Sequence, residues 1–449
     1  MNHSLPYSFV GIQSIYLAAR FNPIYWNTAC LIVNSGATDE TAGKATDYGK
    51  IAKAIGDIVS SGIQVSLANI NKSDFGFKPD VENNQILYGL KGLLNVGDDL
   101  IAEIIAKRPY KSIRDFMNKV NIKKQSMISL IKAGAFDEMM DRKICMGWYI
   151  WETCDKKKNL TLQNMPGLIR YGLLPTDTEE RKTASRIYEF NRYLKAVCKY
   201  SKEEYKLDTR AIDFLCEMGY EDLINNNMLN AKQWDKKYQT WMDIFRNWIA
   251  GDKENILHQL NSIIFKEAWD KYAKGNISAW EMEAMCFYYH EHELAHLNND
   301  KYGFKDFFNL PEEPIVERSF YKGGKTINIF ELCKICGTCI AKDKTKSTVT
   351  LLTTTGVVTV KFNKEYFSMF DKQISQKNAD GTKSIKEKSW FNRGNMIVVN
   401  GMRNGDNFVA KKYAADPGHT LYRISSIDDN GNLELQIERY KGIVEDSDD

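Results

Sequence analysis

The spacing of apolar residues changes abruptly near Asn299, and this change limits the possible folds more than any other feature of the sequence. From Asp137 to Leu297 apolar residues recur at helical spacing and glycines are few. After Pro311 and Pro314, short β-branched runs follow one another: TVTLL, GVVTVKF, NMIVVNGM and NFVAKKY. The pattern therefore predicts a long, almost entirely helical region followed by a small β-domain.

The β-branched runs predict strands with one buried face. Val358, Val360 and Phe362 fall on one side of a strand, and Thr359 and Lys361 on the other. Five short strands, with KEYFSMF as a helix after the third, are typical of an OB-fold barrel. Such a barrel usually presents one face to single-stranded nucleic acid. The polar stretch QKNADGTKSIKEK predicts a mobile loop, and the acidic tail VEDSDD a frayed end.

The N-terminal region predicts shorter helices separated by turns. One helical stretch covers Tyr7 to Ser35 with a turn at Phe21-Asn22-Pro23, and a second covers Tyr48 to Ser61 and ends at Gly62. The next stretch, IQVSLANINKSDFGF, alternates or turns. We predict a mostly α protein with a C-terminal OB-like barrel. The expected domains are 1–75, 76–140 (helix-hairpin-helix), 141–298 (helical) and 299–449 (OB-like, with the acidic tail).

Composition limits the kind of protein this is. The chain has 449 residues and a net charge of only +3, from 61 basic and 58 acidic residues, so a polyanion-binding surface must be local. Nine cysteines without a disulfide framework indicate a reducing compartment. The N-terminus lacks the pattern of a signal peptide, and no apolar run approaches a membrane span. We expect a cytoplasmic protein.

The stretch NVGDDLIAEIIAKR is the first along the chain that resembles a known binding motif. Two short helical runs, 86–94 and 100–107, joined by a glycine turn, resemble a helix-hairpin-helix, whose amides bind a DNA phosphate. An ordinary corner between two helices is the alternative. Asn95 stands where a first glycine is usual, and Asp98 and Asp99 place carboxylates near the phosphate. The candidate DNA-binding residues are Asn95, Val96, Gly97, Asp98, Lys107, Arg108, Lys123 and Lys124.

Two short motifs have structural alternatives. Cys333, Cys336 and Cys339 have metal-like spacing, but on a strand Cys333 and Cys339 share one face and Cys336 lies on the other. No second pair is near enough to complete four ligands, so buried thiols are expected. The KGGKT stretch is not a phosphate loop, because Ser319 stands where the first glycine is required.

Two further stretches could contact replication partners. Lys342, Lys344 and Lys346 lie in the expected first hairpin of the barrel, where they form either a solvated turn or a contact with a nucleic-acid backbone. The segment QTWMDIF, from Gln239 to Phe245, loosely resembles peptides that bind sliding clamps. Its apolar residues equally suit the core of an ordinary helix, so a clamp contact stays open.

The segment HELAH matches the H-E-x-x-H pattern of zinc peptidases. Such a site requires both histidines, here His292 and His296, on one helical face, a glutamate base and a third metal ligand. No nearby acidic residue stands out as that third ligand by its spacing. We therefore predict no metal ligands in this chain.

The N-terminal segment HSLPYSFVGIQSIYLAARFNPIYWNTACLIVNS resembles the fingers of the bacterial replicative DNA polymerase III alpha subunit, a C-family polymerase. The matching positions are His3, Ser4, Tyr7, Gln13, Tyr16, Leu17, Ala19, Pro23 and Ser35. The resemblance continues in order through GIQVSLANINKSDFGF, ILYGLKGLLNVGDDLIAEIIAKR and KSIRDFMNKVNIKKQSMISLIKAGAFD. In the segment GIQVSLANINKSDFGF, Leu67 and Ala68 stand where the family has two prolines.

The same resemblance covers the apparent zinc motif. EMEAMCFYYHEHEL resembles the segment that precedes the OB domain in these polymerases, with Glu281, Glu283 and His292 among the matching positions. His292 then has a structural role, and Glu293 occupies the position of a proline in that family. The stretch from Arg142 to Gly275 matches no part of the family.

The resemblance implies template-directed DNA synthesis, with primer–template duplex, single-stranded template and dNTP as partners. Residues 1–75 would be the C-terminal part of the fingers, with His3, Ser4 and Tyr7 facing the incoming nucleotide. In the family, a palm with aspartates that hold Mg²⁺ precedes the fingers. No palm is present in this sequence, so we expect a palm-bearing polymerase chain, as in a split or truncated phage-type gene, to hold the Mg²⁺. The alternative is a non-catalytic DNA-binding accessory protein.

Overall fold

The computed structural model describes residues 4–38, 45–378 and 382–445. The chain divides into two compact units. The first unit contains Met1–Met146 together with Gly275–Asp449, and the second unit, which we call the insert unit, contains Gly147–Lys274. Within the described ranges no helix has the length and apolar character needed to cross a bilayer.

Helices and one small sheet form the N-terminal part of the first unit. They are α1 (Ser4–Arg20), α2 (Pro23–Ser35), α3 (Tyr48–Ser60), β1 (Gln64–Val65), β2 (Lys78–Asp80), β3 (Gln85–Leu87), α4 (Asp98–Ala106), α5 (Ile113–Lys119), α6 (Lys124–Lys132) and the start of α7 (Arg142–Thr153), whose remainder belongs to the insert unit. The turn predicted between α1 and α2 is confirmed. There the Asn22 side chain accepts a hydrogen bond from the amide of Ile24, and Pro23 occupies the first turn of α2.

The predicted helix over 86–94 is wrong. Gln85–Leu87 is a strand that pairs with β1 and β2, and Leu90–Gly92 is a single 3-10 turn. Ile86, Tyr88 and Leu90 are all fully buried. Their alternating spacing is that of a strand. Only a single 3-10 turn follows this strand, so the first helix of the predicted helix-hairpin-helix is shorter than expected.

The insert unit combines helices with a four-stranded sheet. Its elements are α8 (Met165–Arg170), α9 (Glu179–Val197), β4 (Lys199–Ser201), β5 (Glu204–Lys206), α10 (Thr209–Glu217), β6 (Ile224–Asn225), β7 (Met228–Asn230), α11 (Ala231–Gly251) and α12 (Lys253–Tyr272). The sheet corrects the prediction that this region is almost entirely helical. Lys202 with Glu203, and Asn226 with Asn227, have positive φ and form the tight turns that its hairpins need.

The clamp-like segment QTWMDIF lies within α11. Met242 and Phe245 are fully buried in one hydrophobic cluster of the insert unit. The Trp241 indole donates a hydrogen bond to the Tyr220 hydroxyl at 2.8 Å. These apolar side chains therefore build the core of the insert unit.

The C-terminal part of the first unit is mainly β-structure. Its elements are α13 (Ile277–Met285), α14 (Asn299–Tyr302), β8 (Val316–Lys322), β9 (Lys325–Phe330), β10 (Cys333–Asp343), β11 (Thr348–Leu352), β12 (Val357–Lys361), α15 (Lys364–Asp371), β13 (Gln373–Lys377), β14 (Lys383–Glu387), β15 (Met396–Asn404), β16 (Asn407–Ala410), β17 (Leu421–Ile427), β18 (Leu433–Gln436) and β19 (Ile443–Glu445).

The predicted OB-like barrel is confirmed. Strands β10, β11, β12, β16 and β15 form a closed barrel, because β15 pairs with β10. The pairing of β12 with β16 is parallel and the other barrel pairings are antiparallel. Helix α15 follows the third strand as predicted, and Val358, Val360 and Phe362 point into the core. Cys333 and Cys339 contact the same core, whereas Cys336 packs on the other face, as the spacing predicted.

Two polar segments are more ordered than predicted. The lysine-rich stretch expected to be a mobile loop, 376–388, includes the end of β13 and all of β14, which form an antiparallel hairpin. Residues 379–381 of this stretch lie outside the described part of the chain. The expected frayed tail begins with β19, which pairs with β13. Residues 446–449 lie outside the described part of the chain. The hairpin β8–β9 was not predicted either.

Candidate nucleic-acid interface

The turn before α4 is held in place by neighbouring helices. Asn95 has a φ of 61°, a left-handed conformation that asparagine tolerates better than most residues. Its side-chain Nδ2 donates a hydrogen bond to Ser129 Oγ at 3.1 Å, and Ser126 Oγ donates one to its carbonyl at 2.6 Å. The amide of Leu94 donates to the carbonyl of Ala284 at 2.9 Å. The turn is therefore preorganised by α6 and α13.

Gly97 makes the start of α4 open to an approaching phosphate. It is the N-cap residue, it is exposed, and no side-chain hydrogen bond caps the helix there. No heavy atom lies within 4 Å of the position that a Cβ would occupy. The free amides and the helix dipole at such an end favour an anion. Asn95 is also exposed, whereas Val96 is buried beneath the turn.

The carboxylate of Asp98 is neutralised within the protein. The Lys91 ammonium donates a hydrogen bond to it and is itself largely buried beside it. The repulsion that this carboxylate would exert on a phosphate is therefore reduced. Asp99 is exposed.

Lys107 and Arg108 lie at the opposite end of α4 from the turn, roughly 14 Å along the helix axis. The Lys107 ammonium donates hydrogen bonds to Glu103 Oε1 and to the carbonyl of Lys119, both at 2.6 Å. The Arg108 guanidinium donates to the carbonyls of Ile70 and Ser73, and burial lowers its pKa. Both cations therefore support the local fold, and the structure does not bring them to the turn.

Lys123 and Lys124 lie at the start of α6, the helix that holds the turn. Lys123 is the exposed N-cap residue of α6, and Lys124 begins that helix. Ser126, which bonds to Asn95, follows within the same helical turn. We call the exposed turn, the open end of α4 and these two lysines at the start of α6 the hairpin surface. The supporting residues Ser126 and Ser129 could not be identified from sequence, because their contacts arise only when α6 packs against the turn. Lys91 could not be identified either, because its contact with Asp98 arises only when the 3-10 turn folds against the start of α4.

The lysines of the first barrel hairpin occupy different environments. Lys342 Nζ bonds to Asp371 Oδ1 at 2.8 Å, and Ser389 Oγ donates to the same oxygen at 2.9 Å. Asp371 is only 6% exposed, so this ion pair is part of the barrel. Lys344 and Lys346 are exposed between β10 and β11.

The proposed nucleotide-facing residues lie at the start of α1. His3 is outside the described residues, Ser4 begins α1, and Tyr7 is 75% exposed. Other large apolar side chains of α1 are more than half exposed and are distributed around the whole helix: Leu5, Phe9, Val10, Ile12 and Ile15. A helix that is apolar on all sides is normally buried. The surface of α1 is therefore suited to being covered by other protein.

The HELAH segment is not helical, so the predicted helical face for two zinc ligands is wrong. Residues 293–296 form turns, and residues 292 and 297 belong to no helix or strand. His292 Nδ1 accepts a hydrogen bond from the amide of Leu294, and its Nε2 bonds to the carbonyl of Leu352, each at 3.0 Å. Burial lowers the pKa of His292 to about 4. His296 Nε2 bonds to the carbonyl of Asp428 at 3.1 Å. Both histidines thus have structural partners.

Comparison with known proteins agrees with this geometry. Residues 62–144, which include the hairpin surface, match the family model of the helix-hairpin-helix motif. Over 97% of its length the chain is 39% identical to the probable DNA polymerase YorL of Bacillus subtilis (strain 168). It is equally similar to the DNA-directed DNA polymerase of Bacillus phage SPbeta. It is 32% identical over 148 residues to the DNA polymerase III subunit alpha of Thermus aquaticus.

The chain is similar over nearly its whole length to part of two DNA polymerases, and over a shorter stretch to part of a DNA polymerase III alpha subunit. It spans 35% of the length of the Bacillus and phage polymerases. The alignment with the Thermus aquaticus subunit covers 31% of this chain. Because 97% of the chain aligns with the Bacillus and phage polymerases, the insert unit is shared with these polymerases.

Proposed function

We propose that this chain holds DNA and the incoming nucleotide for a template-directed DNA polymerase whose catalytic carboxylates lie outside these 449 residues. The single observation that carries the DNA-binding part is the hairpin surface. There Gly97 opens the N-terminus of α4, and Lys123 and Lys124 begin α6, the helix whose Ser126 and Ser129 bond to Asn95. Helix amides and nearby lysines together favour a backbone phosphate, and a contact of this kind is independent of base sequence.

The apolar surface of α1 supports the polymerase part of the proposal. Its exposed side chains are suited to packing against a palm-bearing segment, either upstream in the same polypeptide or on another chain. Ser4 and Tyr7 on α1, together with His3, which lies outside the described residues, would then face the nucleotide. In the two-metal mechanism Mg²⁺ is held by carboxylates and stabilises the attacking and leaving oxygens. Because the resemblance implies metal-binding aspartates in the palm, we assign Mg²⁺ to the palm.

The second candidate function is that of a non-catalytic DNA-binding accessory protein. It is favoured by the fact that the DNA-binding features, the hairpin surface and the OB-like barrel, are present in this chain without any need for the palm. The two candidates differ only in whether the chain supports nucleotide addition.

Primer extension tests the proposal. This chain would be mixed with the part of the phage SPbeta polymerase that lies outside the matched region, together with Mg²⁺, dNTPs and a primed template. We expect extension only when both components are present. If the chain binds primed DNA and no mixture extends the primer, the accessory function replaces the polymerase function.

A matched pair of glycine variants tests the hairpin surface by duplex binding. Gly97→Asp places a carboxylate at the proposed phosphate position, so we expect duplex affinity to fall about tenfold or more. Gly251→Asp makes the same change at another exposed glycine, where the position of an added Cβ likewise has no heavy atom within 4 Å, and should not alter binding. Equal affinities of the two variants would exclude the proposed phosphate contact.

A further inference from the structure

The hairpin β8–β9 stands out from the barrel as an exposed ribbon. Its two strands pair with each other, and every residue of β8 is exposed. Gly323 and Gly324, with φ values of 60° and 80°, form the tight turn at its tip. A two-stranded hairpin is only marginally stable in water. Its exposed aromatic residues, Phe320 and Tyr321, are therefore more consistent with a binding surface than with self-stabilisation.

The outer part of this hairpin is cationic. Between residues 318 and 328 it contains Arg318, Lys322 and Lys325 and no carboxylate. Lys322 and Lys325 are directly opposite each other across the tip. Like charges in opposite positions destabilise a hairpin, and a bound polyanion would remove this repulsion. Tyr321, beside them, is 75% exposed.

A basic groove lies at the base of the hairpin. It has a volume of about 890 Å³ and runs past the ends of β12 and β16 and the start of α15. Its lining includes Lys361, Lys411 and Lys412, and no aspartate or glutamate is among the lining residues. Tyr366 and Tyr413 add aromatic surface. The charge of the groove is therefore complementary to a polyanion.

Tyr413 connects the groove to the hairpin. Its hydroxyl accepts a hydrogen bond from the amide of Phe330, the last residue of β9, at 2.8 Å. Lys411 Nζ lies 5.0 Å from the ring centroid of Tyr413 and 5.7 Å from that of Phe330. Groove and hairpin are thus joined at Phe330, with the carboxylates of Glu317 and Glu331 near this junction, and we call the two together the hairpin track.

We propose that the hairpin track binds single-stranded DNA, with the lysines at backbone phosphates and Tyr321 and Tyr413 against unpaired bases. A cationic path with aromatic side chains is the combination used by proteins that bind single strands without sequence preference. A duplex offers the same phosphates but keeps its bases stacked, so it could not use the aromatic residues. The proposal rests on the proposed function and adds a contact separate from the hairpin surface and from Lys344 and Lys346.

Fluorescence anisotropy of the full chain tests this contact, with labelled oligodeoxythymidylate and a duplex of equal length as the probes. The groove variant is Lys361→Ala with Lys412→Ala, and the tip variant is Lys322→Ala with Lys325→Ala. All four lysines are exposed, so the variants should fold. The control is Lys158→Ala with Lys266→Ala, which removes two exposed lysines from the insert unit.

For single-stranded DNA we expect each track variant to lose about tenfold in affinity. The slope of the logarithm of the binding constant against the logarithm of the salt concentration should become less steep by about 1.4. Tyr321→Ala should lose about fivefold or more through lost stacking. The control variant should bind single-stranded DNA as the wild type does, and the track variants should bind the duplex as the wild type does.

Wild-type affinity for the single strand in both track variants overturns the proposal. If the wild-type chain binds the duplex but not the single strand, the proposal fails while the hairpin surface stands. If it binds neither probe, the proposed function fails as well.

Discussion

At the residue scale, the hairpin turn shows why an atypical residue is accepted in a recurrent motif. Asn95 replaces the usual first glycine, yet its φ of 61° is one that asparagine adopts. It also gains a hydrogen bond to Ser129 that glycine could not make. The substitution thus exchanges conformational freedom for a contact with α6.

Replacing Asn95 separates these two contributions. Asn95→Gly keeps the backbone conformation and loses only the hydrogen bond, whereas Asn95→Ala loses the bond and strains the left-handed turn by about 1–2 kcal/mol. We expect amide hydrogen exchange in α4 to accelerate more in Asn95→Ala than in Asn95→Gly. Equal exchange rates in the two variants would show that the left-handed backbone contributes nothing.

His292 makes the fold sensitive to acid. Its pKa is lowered to about 4 by burial, so the folded chain holds the neutral form. Stability from this group is fully present above about pH 6.5 and is lost as the pH falls towards 4, by at most about 3 kcal/mol. The raised pKa of the buried Glu293 acts in the opposite direction.

The variant His292→Asn isolates the histidine contribution, because Asn has no titrating group and could still accept the hydrogen bond from the amide of Leu294. The difference in unfolding free energy between wild type and variant should change in favour of the variant as the pH falls from 6.5 to 4. A difference that stays constant across this range would contradict the assigned pKa.

At the element scale, a buried ion pair joins the start of α7 to α13. Arg142 Nη1 donates to Glu281 Oε1 at 2.9 Å, and Glu281 is completely buried. Glu281 also accepts hydrogen bonds from the amides of Tyr289 and His290. Glu283 bonds to Lys132 of α6. The two glutamates that match the polymerase pattern thus anchor α13 to the helix-hairpin-helix region.

Removing one partner should be costly. Arg142→Met leaves the Glu281 carboxylate buried without its main counter-charge, so we expect a loss of about 3–5 kcal/mol in the unfolding free energy of the first unit. The double variant Arg142→Met with Glu281→Leu should cost less than the sum of the single variants. Arg170→Met, at an exposed pair with Glu267, serves as the control and should have little effect. Additive single variants in denaturant unfolding would show that the pair is not coupled.

At the scale of the whole molecule, the two units have different requirements for folding. The hydrophobic clusters around Phe245 and Trp234 consist entirely of residues of the insert unit. In the first unit, by contrast, the Tyr88 hydroxyl bonds to the carbonyl of Met285, and Ala52 packs with Met282 and Ile340. Its N-terminal part therefore depends on residues beyond the insert.

The fragment 147–274 should consequently fold alone, with a cooperative thermal transition and a dispersed NMR spectrum. The fragment 1–146 should not, because its core lacks the partners that come from α13 and the barrel. A cooperative transition in fragment 1–146, or none in fragment 147–274, would contradict this division of the chain.

Local pattern was sufficient for much of the fold. The turn at Asn22 and Pro23, the alternation of Val358 and Val360, and the helix after the third barrel strand all follow from interactions between residues close in sequence. The resemblance to the polymerase family was likewise carried by short ordered motifs. The strand at Gln85–Leu87 and the sheet of the insert unit were missed because short apolar runs do not distinguish a strand from a helix.

Side-chain availability was decided only by tertiary contacts. The sequence shows only that Lys107, Arg108, Lys123 and Lys342 are cations. In the structure Lys107 bonds to α5, Arg108 to the 70–73 loop and Lys342 to Asp371. Lys123, by contrast, is exposed at the start of α6. HELAH similarly matches the zinc-peptidase motif in sequence but does not form the helix that zinc ligation requires. Residue type sets which chemistry is possible, whereas packing between segments distant in the chain determines which groups remain free to perform it.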